Sequence, residues 1–394
     1  MIPRTKVNYR LSNLAKAAWA SERSQAARLE LVHLLAEAME CPNILLSASG
    51  RGSLYTLLMC LPHRRVLVPA YTCKAVVEAV SLAGKQIEFV ESERDGFNMD
   101  ATALAGRVDA DSIVIATHQF GIPCDVHKII EHARRVGAFV IEDAAASLGT
   151  RINGQLTGTF GDAAFFSFDT TKLVNVPLKG GFLVAQDAAL LARCNAFQQA
   201  QTQAMPAVRK FGYLLMGAAL VVIEHPWLYR LFHNIKFNWR GRFTDDCAEF
   251  SPQLGPFYTN TLAEWQAEIL LPQIKGLENL VATRRRLYAA YCEQLAESRG
   301  FSLPRCDESS QWAPIRFPIQ VKGDKLAFYH QAARKGVDFA FSFTFLASPA
   351  EFVRAHQTAA AVLDIPFYDR LTDAEFDQVV KILKEVDEAI FTKG

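Results

Sequence analysis

Residues 138–172 read AFVIEDAAASLGTRINGQLTGTFGDAAFFSFDTTK. Two short apolar runs bracket the stretch. Ala138–Ile141 ends directly in Glu142-Asp143, and Ala163–Phe168 is followed by a loop carrying Lys172. Short apolar runs bounded by polar and small residues predict buried strands. In a parallel sheet, chemistry collects at the carboxyl ends of the strands. Asp143 and Lys172 both stand just there.

Outward from this stretch the same rhythm repeats. Strands are predicted over 43–47, 65–69, 86–90, 112–116 and 181–185, and helices over 50–60, 74–83 and 126–136. Alternation of this kind predicts an α/β fold, a mostly parallel central sheet with helices on both faces. Residues 197–250 break the rhythm, with FGYLLMGAALVVI at 211–223 free of charge. Beyond Pro252 a second regime begins. A long helical pattern spans 262–295 and is expected to kink at Pro272. Strands are expected at 313–321 and 338–343. An amphipathic helix is expected over 372–390, with Phe376, Val379, Leu383, Val386 and Ile390 on one side. The reading is a large domain over 1–250, with the apolar insertion at about 197–250, and a smaller C-terminal α/β domain over 251–394.

The 394 residues are a soft prior for two domains at roughly 150 residues each. Lys plus Arg number 42 and Asp plus Glu 41, a net charge of +1, which argues against a general nucleic-acid binder. The eight cysteines form no CxxC pair and no zinc-finger pattern, so reduced thiols in a cytoplasmic protein are expected, and no metal site. The N-terminus has no apolar stretch of a secretory signal. No apolar run reaches the ~18 residues of a spanning helix.

A lysine on a loop after an apolar strand can form a Schiff base when its amine is partly neutral. Pyridoxal phosphate (PLP) asks a protein for such a lysine, a carboxylate for its ring nitrogen, and donors for its phosphate. Lys172 and Asp143 meet the first two needs. Ser167 and the run Ser49-Gly50-Arg51-Gly52-Ser53, at a predicted helix start, meet the third. Each feature alone has a plain alternative: Asp143 as a helix N-cap, Lys172 as a solvated lysine, the glycine run as a turn. Their order along the chain is the specific signal.

With these residues in place, the sequence resembles the DegT/DnrJ/StrS-type family of PLP-dependent sugar aminotransferases. The matching runs include SASGRGSLYTLL, VLVPAYTCKAVVEAVSLAGKQIEFVESERDGFNMD, the segment from ATHQFGIPCD to FDTTK, GGFLVA, and LAEWQAEILLPQIKGLENLVATRRRLYAAYCEQL. The resemblance covers nearly all of the chain except about 197–255. It implies fold type I and a site at a homodimer interface. It implies Lys172 as the Schiff-base lysine, Asp143 as the ring-nitrogen partner, Ser167 as a phosphate ligand, and backbone amides at Gly50, Arg51 and Gly52 for the phosphate. It further implies transfer of an amino group from a donor, glutamate in the family, to a keto sugar, commonly nucleotide-linked, in glycan or amino-sugar biosynthesis.

Several positions depart from the family pattern. Ala146 stands where a Gln usually contacts the ring hydroxyl. Cys73 stands where an aromatic usually stacks on the ring, with Tyr71 and His118 as candidate replacements. A family GEGG turn is replaced by Pro177-Leu178-Lys179-Gly180-Gly181, which makes Lys179 a rival to Lys172. The Asn that the neighbouring subunit normally lends aligns near Thr259, with Asn260 one place away. These changes keep two other readings open: a PLP-dependent sugar dehydratase, and a non-enzymatic regulatory or assembly member. A dehydratase of this family carries His in place of the lysine, so Lys172 favours transamination. The cluster Arg284–Arg286 is a candidate for a substrate diphosphate or a solvated helix face. The segment 211–232 is a candidate buried helix or dimer interface, or a peripheral membrane contact with Arg209, Lys210, Arg230 and Lys236 near anionic headgroups.

Overall fold

The computed structural model describes all residues except 22–23, 241–251, 306–309, 345 and 392–394. Cys247, Cys306 and the 250/251 boundary lie outside the described residues, as do the side chains of Lys236 and Ile390.

The chain opens with α1 (Leu11–Ala18) and α2 (Ala26–Ala38), followed by β1 (Ile44–Ser47) and α3 (Gly50–Cys60). Then come β2 (Arg65–Pro69), α4 (Lys74–Leu82), β3 (Gln86–Val90), β4 (Ser112–Thr117), α5 (Val126–Val136) and β5 (Phe139–Asp143). A short hairpin, β6 (Arg151–Ile152) and β7 (Gln155–Leu156), leads to β8 (Ala163–Ser167) and β9 (Gly181–Ala185). The main sheet has the order β1-β9-β8-β5-β4-β2-β3. Strands β3, β2, β4, β5 and β8 run parallel, and β9 pairs antiparallel with both β8 and β1. The apolar runs of β2, β4, β5 and β8 are buried on both faces, as the covering helices require, while β3 at the sheet edge is only half-buried. The mostly parallel α/β sheet expected from sequence is therefore present.

After α6 (Ala188–Gln201), the apolar insertion forms α7 (Ala207–Ile223) and α8 (Pro226–Arg240), bent by 108° against each other. Among the described residues no single helix is long and apolar enough to cross a membrane. A short α9 (Pro256–Thr259) precedes α10 (Glu264–Lys275) and α11 (Leu277–Gln294). The long helical pattern thus breaks at Gly276 rather than at Pro272. Pro272 sits inside α10, and the Gly276 N–H still reaches the Pro272 carbonyl at 3.2 Å. Gly276 then leaves helical geometry, with φ −99° and ψ 12°. Trp265 of α10 is fully buried in the cluster shared with α2 and the main sheet.

The C-terminal part contains β10 (Phe301–Ser302), β11 (Ser310–Gln311), β12 (Phe317–Val321), α12 (Lys325–Arg334), α13 (Val353–Ala361), β13 (Val362–Ile365) and α14 (Asp373–Phe391). Strands β10, β12 and β13 form an antiparallel sheet, and β11 joins the β6–β7 hairpin. Val379, Leu383 and Val386 of α14 are buried against this sheet, the face its periodicity marks. Two expectations differ from the result. The strand expected over 313–321 begins only at Phe317, because Ile315 and Arg316 line cavities instead. The strand expected over 338–343 is reduced to single bridges, Ile2 with Val337 and Ala340 with Asp364, and Phe343 turns to a φ of +50°.

Candidate active site

The parallel register brings Thr117 beside Asp143, and Asp143 beside Phe165. The carboxyl ends of β4, β5 and β8 therefore share one edge, and a cavity of about 200 Å³ opens there. It gathers Gly50, Arg51, Cys73, His118, Asp143, Ser167 and Lys172, residues that lie up to 122 positions apart in the chain. Ala146 and Lys179 also line it.

The glycines of α3 allow this helix start to press against the sheet. A Cβ on Gly50 would lie 3.0 Å from the Ser167 Cβ, and one on Gly52 only 2.5 Å from the Phe257 carbonyl. Ser49 caps the helix, its Oγ accepting the Gly52 N–H at 3.0 Å. Gly52 thus supports the turn without lining the cavity. The positive end of α3 and the Ser167 hydroxyl lie at one end of the space, an arrangement suited to an anion. The Arg51 guanidinium bonds Glu78 at 3.0 Å and lies 5.8 Å over the Tyr258 ring.

Lys172 follows β8 on a loop fixed through its backbone. Its N–H donates to the Asp169 carbonyl at 2.9 Å, and its carbonyl accepts from Asn175 Nδ2 at 2.9 Å. Asn175 is itself held by Gln273 and by the backbone of Asn8. Burial lowers the pKa of Lys172, and Arg316 pushes in the same direction, while Asp143, Cys73 and Asp169 oppose. Burial raises the pKa of Asp143, against the pull of Lys172 and the Ala145 N–H. An amine held toward neutrality beside a buried carboxyl group can add to a carbonyl carbon and hand protons on. Lys179 differs from Lys172 in having a direct ion pair, with Asp169 at 3.3 Å.

His118 is fully buried at the cavity wall, with Nε2 3.0 Å from Glu142 and Nδ1 accepting the Cys124 N–H. That pattern is a single-proton imidazole donating to Glu142. Glu142 also accepts from the N–H groups of Gly158, Phe160 and Gly161, so it anchors the loop before β8. Tyr71 does not reach the cavity. It is fully buried in an aromatic cluster with Phe120 and Phe343, and those two residues line the cavity instead. Asn260 is also away from it, exchanging hydrogen bonds with the backbone of Gln203 at 3.0 and 2.8 Å. Arg284 is buried in an ion pair with Asp369 at 2.6 Å and bonds the Ile315 carbonyl, and Arg285 bonds the Trp312 carbonyl at 2.8 Å, so these two serve the fold, while Arg286 is exposed.

Reading the residues alone missed Arg316, Phe120, Phe343 and Gln119. Gln119 is 4% exposed, lines the cavity, and its Nε2 has no hydrogen-bond partner among the described residues. An unpaired buried amide is costly, so Gln119 has capacity for one further partner. Sequence could have flagged it only through its place directly after His118 at a strand end. PLP fits this donor set. Lys172 and Asp143 would meet its aldehyde and ring nitrogen, and the α3 start and Ser167 its phosphate.

Comparison with known proteins agrees with this geometry. Over 155 residues the chain is 34% identical to GDP-perosamine synthase of Escherichia coli O157:H7, covering 38% of this chain and 42% of that protein. Over 147 residues it is 35% identical to UDP-N-acetyl-3-dehydro-alpha-D-glucosamine 3-aminotransferase of Acidithiobacillus ferrooxidans, covering 36% and 40%. The matches thus span less than half the length of these relatives. In fold it is similar to the sugar aminotransferase CalS13 of Micromonospora echinospora, with a TM-score of 0.76, 19% identity, and 98% and 100% of the two chains covered. A profile match extends over residues 7–384, nearly the whole length: the chain belongs to the DegT/DnrJ/EryC1/StrS aminotransferase family.

Proposed function

We propose that the protein is a PLP-dependent aminotransferase that aminates a keto sugar, with glutamate as the amino donor. The observation that carries this reading is the sharing of one buried cavity by Lys172, with its lowered pKa, and Asp143, with its raised one. Opposite shifts in neighbouring titratable groups suit a site of proton transfer. PLP, when bound, supplies the electron sink for the transfer. Lys172 would hold its aldehyde carbon, and its amine, kept toward neutrality by burial, would take up and return a proton at the reacting carbon. Asp143 would hold the proton on the ring nitrogen. Ser167 and the N–H groups of Gly50 and Arg51 would hold the phosphate, and Gln119 would offer a donor to the ring oxygen that Ala146 leaves without a partner.

The names of the relatives support a sugar as acceptor, and in them the carrier of the sugar is a nucleotide. Homodimerisation is part of this reading, and Asn260 would reach the partner's site only by giving up its two bonds to the Gln203 backbone. A cytoplasmic setting is part of this reading, on the cysteine spacing in the sequence, which forms no CxxC pair. The exposed apolar side chains of α7 and α8, Trp227 at 68% among them, support peripheral contact with a membrane surface. The direct test is incubation of the PLP-loaded protein with glutamate. Loss of the visible cofactor band, with 2-oxoglutarate released in equal amount, is expected. A band that survives saturating glutamate contradicts the donor assignment.

A further inference from the structure

A second, larger chamber of about 840 Å³ adjoins the first. The two share Asp169, Thr171, Lys179, Ile315, Arg316 and Phe343 along their walls, so only side chains separate them. The far wall of the outer chamber comes from the insertion: Met216, Leu220 and Ile223 of α7, and Phe232 of α8. Phe341 and Phe367 face it from the C-terminal part.

Helix α7 is apolar on every side. Leu214 and Gly217 are buried, and a Cβ on Gly217 would meet Pro177 and Leu14. The chamber edge is a second face. Val208, Phe211, Leu215 and Val222 form a third, exposed at helical spacing, and Trp227, Leu231 and Ile235 are exposed on α8, which turns 108° from α7. A helix apolar all round is expected inside a core or in lipid, yet this one lies at the surface. Basic groups of the outer chamber are already matched. Arg316 bonds Asp364 at 2.7 Å, Lys179 bonds Asp169 at 3.3 Å, and Arg4 lies 3.9 Å from Asp338. A nucleoside diphosphate would bring its negative charges to cations that each face a carboxylate already. An apolar chain would meet the α7 and α8 wall directly.

We propose that the keto sugar reaches this site as a membrane glycolipid. The outer chamber holds the first apolar segment of its lipid while the exposed stripe of α7 and α8 rests on the bilayer. The inference rests on the amination of a keto sugar proposed above and replaces only the nucleotide carrier. With the shared side chains drawn aside, the sugar end would lie at Lys172 and the apolar end along Met216 and Leu220, on the helix whose opposite face would touch lipid.

The test titrates the PLP-loaded full chain, by calorimetry, with hexyl, octyl and decyl glucoside below their micelle concentrations, and with UDP and GDP. Affinity is expected to tighten about fourfold per added methylene, the value of burying one CH₂ group. Decyl glucoside should bind more tightly than either nucleotide. Leu220→Gln and Met216→Gln should each weaken it about tenfold. Phe211→Ser, on the outer stripe, should leave it unchanged. Affinity independent of chain length, or nucleotide binding that exceeds that of decyl glucoside, overturns the proposal. So does a chamber sealed by a second copy, seen as no glucoside binding to the dimer. Lys172 labelling by borohydride is read on the same samples. A labelled Lys172 with flat chain-length dependence sinks the lipid carrier alone. Steep dependence with no labelled lysine keeps the apolar subsite but overturns the amination on which the proposal rests.

Discussion

The side-chain amide of Asn175 donates to the main-chain carbonyl of Lys172 at 2.9 Å, and so ties the loop after β8 to α10 through Gln273. Position, rather than any contact of the amine itself, is what Asn175 contributes. Asn175→Ala leaves the Lys172 carbonyl and the Asn8 N–H without this partner. A loss of about 1–3 kcal/mol of stability is expected, together with slower capture of PLP. Urea unfolding and the rate of cofactor uptake check this. Unchanged values for both would show that the loop is held elsewhere.

The pH dependence of PLP capture should report the electrostatics of Lys172. Capture needs the neutral amine, so its rate rises with pH through the pKa of Lys172, which lies below the ordinary lysine value. Asp143 raises that pKa and Arg316 lowers it. Asp143→Asn should therefore move the midpoint to lower pH, and Arg316→Ala should move it to higher pH. Stopped-flow absorbance over pH 6 to 11 measures both. Shifts in the same direction would contradict the assignment.

Gly52 sits where a Cβ would come within 2.5 Å of the Phe257 carbonyl. Backbone cannot yield as a flexible side chain would. Gly52→Ala should cost about 1–3 kcal/mol by overpacking and should weaken PLP binding by displacing the start of α3. Equal denaturant midpoints for variant and parent would rule out so close an approach.

Gln119→Leu removes the unpaired amide at nearly constant size. The bare protein should gain stability or hold it, since a buried orphan group is lost. The loaded protein should release PLP faster, by about tenfold for one lost hydrogen bond of about 1.4 kcal/mol. Dissociation measured by transfer to an acceptor apoenzyme gives the rate. No change in that rate would remove Gln119 from the cofactor's contacts.

Vesicle binding tests the outer stripe. Co-sedimentation with vesicles containing phosphatidylglycerol is expected, and Phe211→Ser with Trp227→Ser should reduce it strongly. Binding that persists in the double variant would place the contact elsewhere on the surface.

Much of the fold was legible because the decisive elements state their environment locally. Helices Gly50–Cys60 and Val126–Val136 match their expected spans, and β5, expected over 138–141, runs from Phe139 to Asp143, so Asp143 closes the strand instead of following it. The residues whose meaning depends on distant partners were not legible. Arg316 reads as part of a strand until β13 and Ser342 draw its guanidinium toward the cavity. Pro272 reads as a break, yet the helix tolerates it and yields at Gly276. The charge-free run 211–223 is compatible with core, interface or lipid, because one helix meets three environments and periodicity records only that all three are apolar. Arg284 looks like a surface cation until Asp369 is brought against it.

The central claim is that Lys172 is the residue that binds PLP. Borohydride reduction of the PLP-loaded protein followed by peptide mapping tests it most directly. The account predicts one pyridoxyl group per chain, on the peptide containing Lys172, and none on Lys179. A label on Lys179, or a protein that takes no label at all, would contradict it.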